Sequence, residues 1–248
     1  MTRLKNEADL AGIRASAAVL REALDAVRAA VVPGVTTVEL DAIAAQVIAA
    51  HGARAAFLGY LDYPATLCVS VNEEVIHGIP GERTLKDGDI VSLDVGVELE
   101  GYFSDAACTV PVGQIEGDVA NLLATTEECL QRAVGAARAG GRVGDIAVAV
   151  TELAESSGYG VVRQYCGHGV GFQQHEDPQV PNYPSEEGNP RLKPGMVLAV
   201  EPMLNLGDWE VEVLADGWTV VTSDRRPSAH FEHTIAILDD CTEVLTAA

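Results

Sequence analysis

The segment DGDIVSLDVGVELEGYFSDAACTV places acidic side chains where a strand should be apolar. Alternation along its first half puts Val91, Leu93, Val95 and Val97 on one face and Ile90, Ser92, Asp94 and Gly96 on the other. Asp94 therefore interrupts a strand whose opposite face reads as core. A turn centred on Leu99-Glu100 sets Asp94 across from Asp105, with Cβ atoms about 5 Å apart, and a bulge at Gly101 would slip that register by one. Two carboxylates so placed repel, and burial raises the cost, unless one is protonated or a cation lies between them. The plainer alternative is two solvated surface aspartates.

The second half of the chain repeats the oddity. VLAVEPML leaves Glu201 at the end of an apolar run, and HFEHTIAIL sets Glu232 on one face with His230 and Thr234, opposite Phe231, His233, Ile235 and Ile237. Either acid alone reads as readily as a paired structural group or an edge residue as it does as a functional one, but four buried-looking carboxylates together require an explanation. His168 sits in CGHGVG, where Gly167, Gly169 and Gly171 allow close backbone approach and unusual dihedrals around an imidazole, or merely shape a turn. Two Asp, two Glu and one His make a set of hard oxygens with one borderline nitrogen, suited to two divalent first-row cations sharing bridging carboxylates. Five side chains leave positions open for water and substrate.

The elements that must carry these residues are legible from periodicity. Helical spacing runs over Glu7–Ala30 and, with Thr37 as N-cap and Gly52 as stop, over Thr37–Ala50; it recurs over Asp118–Ala139 and Val143–Ser157. Shifting by 106 residues aligns Gly34 with Gly140, Glu39 with Asp145, Leu40 with Ile146, Val47 with Leu153 and Gly52 with Gly158. Pro-Gly punctuation marks turns, and no Gly/Ser-rich stretch is long enough to separate independent domains. The expectation is one α+β domain over 1–248, made of two pseudo-equivalent halves (about 1–112 and 113–248) with helices outside a mostly antiparallel sheet.

With 16 Lys+Arg against 37 Asp+Glu, the net charge of −21 excludes an extended basic face for nucleic acid. The start MTRLKNEADL lacks the apolar core of a signal peptide, and no apolar run reaches the roughly 18 residues of a membrane span. Five cysteines without a C-x-x-C pair suit a reducing compartment and read as buried or semi-buried thiols, so a cytoplasmic, non-membrane protein is expected. GHGVG departs from G-x-G-x-x-G, and HEDPQ lacks the second His of H-E-x-x-H, which removes dinucleotide-binding and mononuclear zincin readings.

Taken in order, PGVTTVELD, LGYLDYP, VNEEVIHGIP, LKDGDIVSLDVGV, YCGHGVG, HEDPQVPNY, LKPGMVLAVEPM, DGWTV and FEHTIAIL resemble the type I methionine aminopeptidases, M24-type metallopeptidases of the pita-bread fold, in their short bacterial form. The resemblance implies that Asp94, Asp105, His168, Glu201 and Glu232 hold two divalent ions (Co, Mn, Fe, Ni or Zn), with Asp105 and Glu232 bridging. It makes Glu201 the proton carrier, His77 a substrate contact, and His175 a donor to the scissile carbonyl oxygen. Tyr60, Tyr63, Cys68 and Trp218 would line the methionine pocket, and Asn72 and Ser228 fall where the family can hold a monovalent cation. Three positions depart from the family pattern: Phe57 and Ile76 replace frequent cysteines, and Gln174 replaces a usual aromatic residue. The implied activity is removal of N-terminal methionine from nascent chains with a small second residue, by a monomer; the acidity opposes attraction to the ribosome exit unless basic residues such as Arg191 and Lys193 cluster. The alternatives are a proline-directed peptidase of the prolidase or aminopeptidase P kind, which usually carries an extra N-terminal domain, and a non-catalytic binding protein on the same fold.

Overall fold

Local chemistry sets the helix ends in the computed structural model, which describes residues 2–185 and 188–247. Helix α1 (Glu7–Ala30) begins at a capping box in which Asn6 accepts from the Ala8 and Asp9 amides while Asp9 accepts from Asn6. Helix α2 (Thr37–Ala50) is capped by Thr36, one residue before the Thr37 expected, because the Glu39 carboxylate reaches back to the Thr36 N–H and hydroxyl. Helix α3 (Gly117–Ala136) stops short of Ala139, since the chain turns there so that the Gly140 amide can donate to the Leu192 carbonyl at 2.9 Å. Helix α4 (Val143–Ser156) follows. No helix among the described residues is long and apolar enough to cross a membrane.

In chain order the strands are β1 (Arg54–Ala55), β2 (Leu67–Val71), β3 (Glu74–Ile76), β4 (Ile90–Leu99), β5 (Tyr102–Pro111), β6 (Gly160–Val161), β7 (Gly167–Gly169), β8 (Glu176–Val180), β9 (Val197–Val200), β10 (Met203–Asn205), β11 (Val211–Val213), β12 (Val220–Thr222), β13 (Ser228–His230), β14 (His233–Ile237) and β15 (Thr242–Val244). One sheet runs β1-β4-β2 with β5 on β4, and another runs β15-β14-β9-β7-β8. Two small sheets, β13-β10-β6 and β11-β12-β3, bind them together, the latter joining an early strand to two late ones. All the pairings are antiparallel.

Helices α1 and α2 pack on the face of β4 that carries Val91, Leu93, Val95 and Val97, and α3 and α4 cover β9 and β14 through Leu198, Val200, Ile235 and Ile237. The opposite face of β4 is buried too, which leaves Asp94 out of water. The hairpin register differs from the expected one. Glu100 and Gly101 form the turn, with φ of 52° and 86°, the positive pair a two-residue type I′ turn demands. Asp94 consequently faces Ala107, and Asp105 faces Gly96. The offset is two residues with no bulge, and two is the side-chain period, so both aspartates stay on one face as diagonal neighbours.

Gly34 and Gly140 share positive φ (100° and 85°), as do Gly52 and Gly158 (68° and 80°), at the spacing of the internal alignment. Isolated bridges Thr36↔Thr84 and Arg142↔Arg191 lie in corresponding places. Cys68 and Cys129 are buried, and Cys108 and Cys166 half-buried, but Cys241 is exposed, because it sits in the turn between β14 and β15. None of the five forms a disulfide.

Candidate active site

Five elements converge on one point. β4 delivers Asp94, β5 Asp105 and β7 His168, while Glu201 directly follows β9 and Glu232 lies in the break between β13 and β14. His168 Nε2 stands 3.8 Å from Asp105 Oδ2 and 3.7 Å from Glu201 Oε1. Ligand-type atoms of Asp105, His168 and Glu232 all lie within 4.8 Å of one another, with the Asp94 carboxyl group beside them on the same face of the sheet.

The backbone around these groups is tightly specified. A Cβ at Gly167 would lie 2.3 Å from the Ala199 carbonyl, and one at Gly169 would lie 2.4 Å from that of Asp177. The glycines around His168 thus serve close approach, and only Gly171, with φ of 132°, has an unusual dihedral. His168 Nδ1 is 2.9 Å from the Gly169 carbonyl, a bond that requires the proton on Nδ1 and leaves the Nε2 lone pair facing the carboxylates. The Thr234 hydroxyl accepts from the Asp105 amide and donates to its carbonyl, at 2.9 and 2.7 Å. Asn182 Nδ2 donates to the Glu201 carbonyl at 2.9 Å.

Burial pushes Asp94 up to about 7, against the pull of His230. Burial, then repulsion from neighbouring acids, raises Asp105 and Glu232 as well. Glu201 goes the other way: burial opposes ionisation, but its neighbour His230 holds it below its ordinary range. Asp94 Oδ1, Asp105 Oδ1 and Glu232 Oε1 are buried without a hydrogen-bond partner. Orphaned acceptors of one sign beside an imidazole lone pair fit divalent cations, which would supply the missing countercharge.

The cluster lines a cavity of about 730 Å³ whose wall also carries His77, His175, Tyr60, Tyr63, Cys68 and Trp218. Burial pulls both histidines down to about 4, so they are neutral near pH 7. His175 Nδ1 lies 2.9 Å from the Tyr60 hydroxyl, and its ring centroid is 4.2 Å from that of His168. Tyr63, Cys68 and Phe57 form an apolar cluster against which Trp218 packs, edge-on to Tyr63 at 5.0 Å. Tyr60 stands apart at the mouth, 37% exposed. Asn72 and Ser228 are joined through a backbone hydrogen bond of 2.9 Å, but neither lines the cavity, and their side chains bond to Asp89, the Ile90 amide, Asn205 and the Leu204 carbonyl.

Sequence reasoning assigned no role to His230, whose Nε2 is 3.6 Å from Glu201 Oε2, nor to Asn182 and Thr234, which anchor ligand backbones. His230 and Thr234 carried a signal, the alternation that put them on one face with Glu232. Asn182 carried none.

Metallopeptidase family M24 matches residues 11–239. A methionine aminopeptidase of Treponema pallidum is 50% identical over 99% of this chain and 96% of its own, and one of Bacillus subtilis is 52% identical over 86% of each. The chain belongs to metallopeptidase family M24, among its methionine aminopeptidases. The crystal structure of a methionine aminopeptidase from Thermotoga maritima superposes with a TM-score of 0.97 at 41% identity, each chain fully covered. A prolidase from Pyrococcus furiosus gives 0.80 at 22% identity over 99% of this chain and 65% of its own, a likeness of fold alone. The α+β pita-bread fold is therefore the fold of this chain.

Proposed function

We propose that this chain removes N-terminal methionine from nascent proteins and peptides with a small second residue, by metal-assisted hydrolysis in the cavity beside His168. The observation that carries the reading is the meeting of five buried ligand-type side chains, three with orphaned oxygens, at the wall of an apolar pocket. Asp94, Asp105, His168, Glu201 and Glu232 would hold two divalent ions of the Co, Mn, Fe, Ni or Zn class. When bound, the ions supply Lewis acidity toward a water and the scissile carbonyl.

Glu201, held below its ordinary range by neighbouring His230, accepts a proton from the attacking water and returns it to the leaving amine. Neutral His175, its Nδ1 engaged by Tyr60, has Nε2 to donate to the carbonyl oxygen as charge develops there. His77 steadies the substrate chain from beside Trp218. Phe57, Tyr63, Cys68 and Trp218 form an apolar socket for a thioether side chain, with Phe57 filling space that a smaller residue would leave. The second residue must pass close to the metal-site wall, which favours a small side chain. Hydrogen bonds already occupy the side chains of Asn72 and Ser228, so a monovalent cation there would rely on main-chain carbonyls.

The same reading makes 1–248 one catalytic domain with halves near 1–112 and 113–248, supported by the paired glycine dihedrals and bridges. A monomer in the cytoplasm is consistent with unpaired cysteines and with a site built from one chain. At the ribosome exit, a charge of −21 leaves only local basic groups such as Arg191 and Lys193 to make contact.

Chelated protein resupplied singly with Co, Mn, Fe or Zn is expected to release Met from Met-Ala-Ser and nothing from Ala-Pro or other Xaa-Pro peptides. Release from proline peptides alone would move the chain to the prolidase-like reading, and silence with every metal would favour a binding role.

A further inference from the structure

Gln174 lies behind the metal-site cluster, 3% exposed, and its amide Nε2 donates to Asp105 Oδ2. That oxygen is the one facing His168 Nε2 at 3.8 Å. The reverse amide orientation would set a carbonyl against the carboxylate whenever Asp105 is ionised, as it must be to hold a metal ion. Gln174 Oε1 has no partner among the described residues. Burying an unpaired carbonyl is unfavourable, and the bond from the amide nitrogen is what offsets it.

Several features deliver this amide. Gly96 is the cross-strand partner of Asp105, and a Cβ there would lie 2.7 Å from the Phe57 ring and 3.0 Å from Gln174 Oε1. Glycine at 96 thus opens the space that the amide and the ring fill. The loop carrying Gln174 is clamped on its far side, where Glu176 accepts from the Phe172 and Gln173 amides at 2.6 and 3.0 Å and pairs with Lys5 Nζ at 2.7 Å. The Lys5 and Glu176 side chains are only 1% and 4% exposed, so water does little to loosen the pair. At the loop's start the Phe103 amide donates to the Gly171 carbonyl at 2.8 Å, which ties it to the strand that carries Asp105.

We propose that Gln174 is a positioning residue for the metal centre, fixing the plane of the Asp105 carboxylate through the Nε2 to Oδ2 bond and thereby setting the affinity for the divalent ions. This rests on the reading of Asp105 as a ligand. With Oδ2 held by the amide while it faces His168, the carboxylate, whose Oδ1 is unpartnered, cannot turn away from the neighbouring acids that repel it.

Gln174→Met keeps the side-chain length and removes the donor. In calorimetric titrations of chelated protein with Mn and with Co, the variant's Kd is expected to rise about 10–100-fold, as for lost outer-sphere partners of metal ligands. The melting temperature of the metal-free protein should stay unchanged, and the visible bands of the Co-loaded protein should shift. Gly96→Ala, whose Cβ would crowd the Phe57 ring and the Gln174 amide, should weaken binding in the same direction and serves if the first variant folds poorly. A Kd tightened or raised by less than about tenfold in Gln174→Met would overturn the role of Gln174. Wild-type protein that takes up neither ion would instead overturn the proposed function.

Discussion

Glu201 and Asp94 are both buried acids on the cavity wall, yet their proton affinities are driven apart. His230, 3.6 Å away, holds Glu201 below its ordinary range against burial, whereas burial pushes Asp94 up to about 7. A base poised beside the reacting water has to be the ionised one. Glu201→Gln is expected to lower kcat on Met-Ala-Ser by about 10²–10⁴-fold, with an unchanged circular dichroism spectrum. On the back of the sheet, burial pulls His233 from 6.5 down to about 4, with its Nδ1 2.9 Å from the Thr246 hydroxyl. Its folded pKa lies below the unfolded one, so the stability it contributes is complete above pH 6.5 and is lost as pH falls toward 4, where the unfolded chain takes up the proton first. A shift of that size corresponds to roughly 3 kcal/mol. Denaturant melts at pH 7 and pH 5 should therefore show a smaller acid loss in His233→Gln than in the wild type.

Strand β7 shows how an element can be set by its glycines. Gly167 and Gly169 let it run against β9 and β8 at distances no Cβ would permit, and His168 between them is aimed as a result. Gly169→Ala is expected to cost about 1–3 kcal/mol by overpacking. It should also weaken metal binding in the same titration, because the imidazole must move with its strand. Gly135→Ala in α3 meets nothing within 4 Å and should add about 0.5–1 kcal/mol while leaving metal binding alone, which separates backbone propensity from site geometry in one pair of melts.

For the molecule as a whole, the proposed ligands come from two sheets, Asp94 and Asp105 from one and His168 from the other, so bound cations should tie the sheets together. An ion at 100 times its Kd that binds only the folded chain stabilises it by about 2.7 kcal/mol. If Asp94 is a ligand as proposed, it loses a proton on binding, and the rise in melting temperature on adding Mn to chelated protein should be larger at pH 8 than at pH 6. Helix spans such as Glu7–Ala30 were written in the sequence because caps and apolar spacing act within a few residues. The four acids and the histidine of the site were legible for a similar reason, since charge in an apolar strand is costly enough to stand out. The β4–β5 register was not, because Leu99-Glu100 and Glu100-Gly101 both offer a turn and only the pair of positive φ values separates them. Nor could the sequence show which acid stays ionised, that Tyr60 meets His175, or that Gln174 reaches Asp105. Those depend on distances between groups far apart in the chain, and in a buried site such distances set the electrostatics that types and spacing leave open.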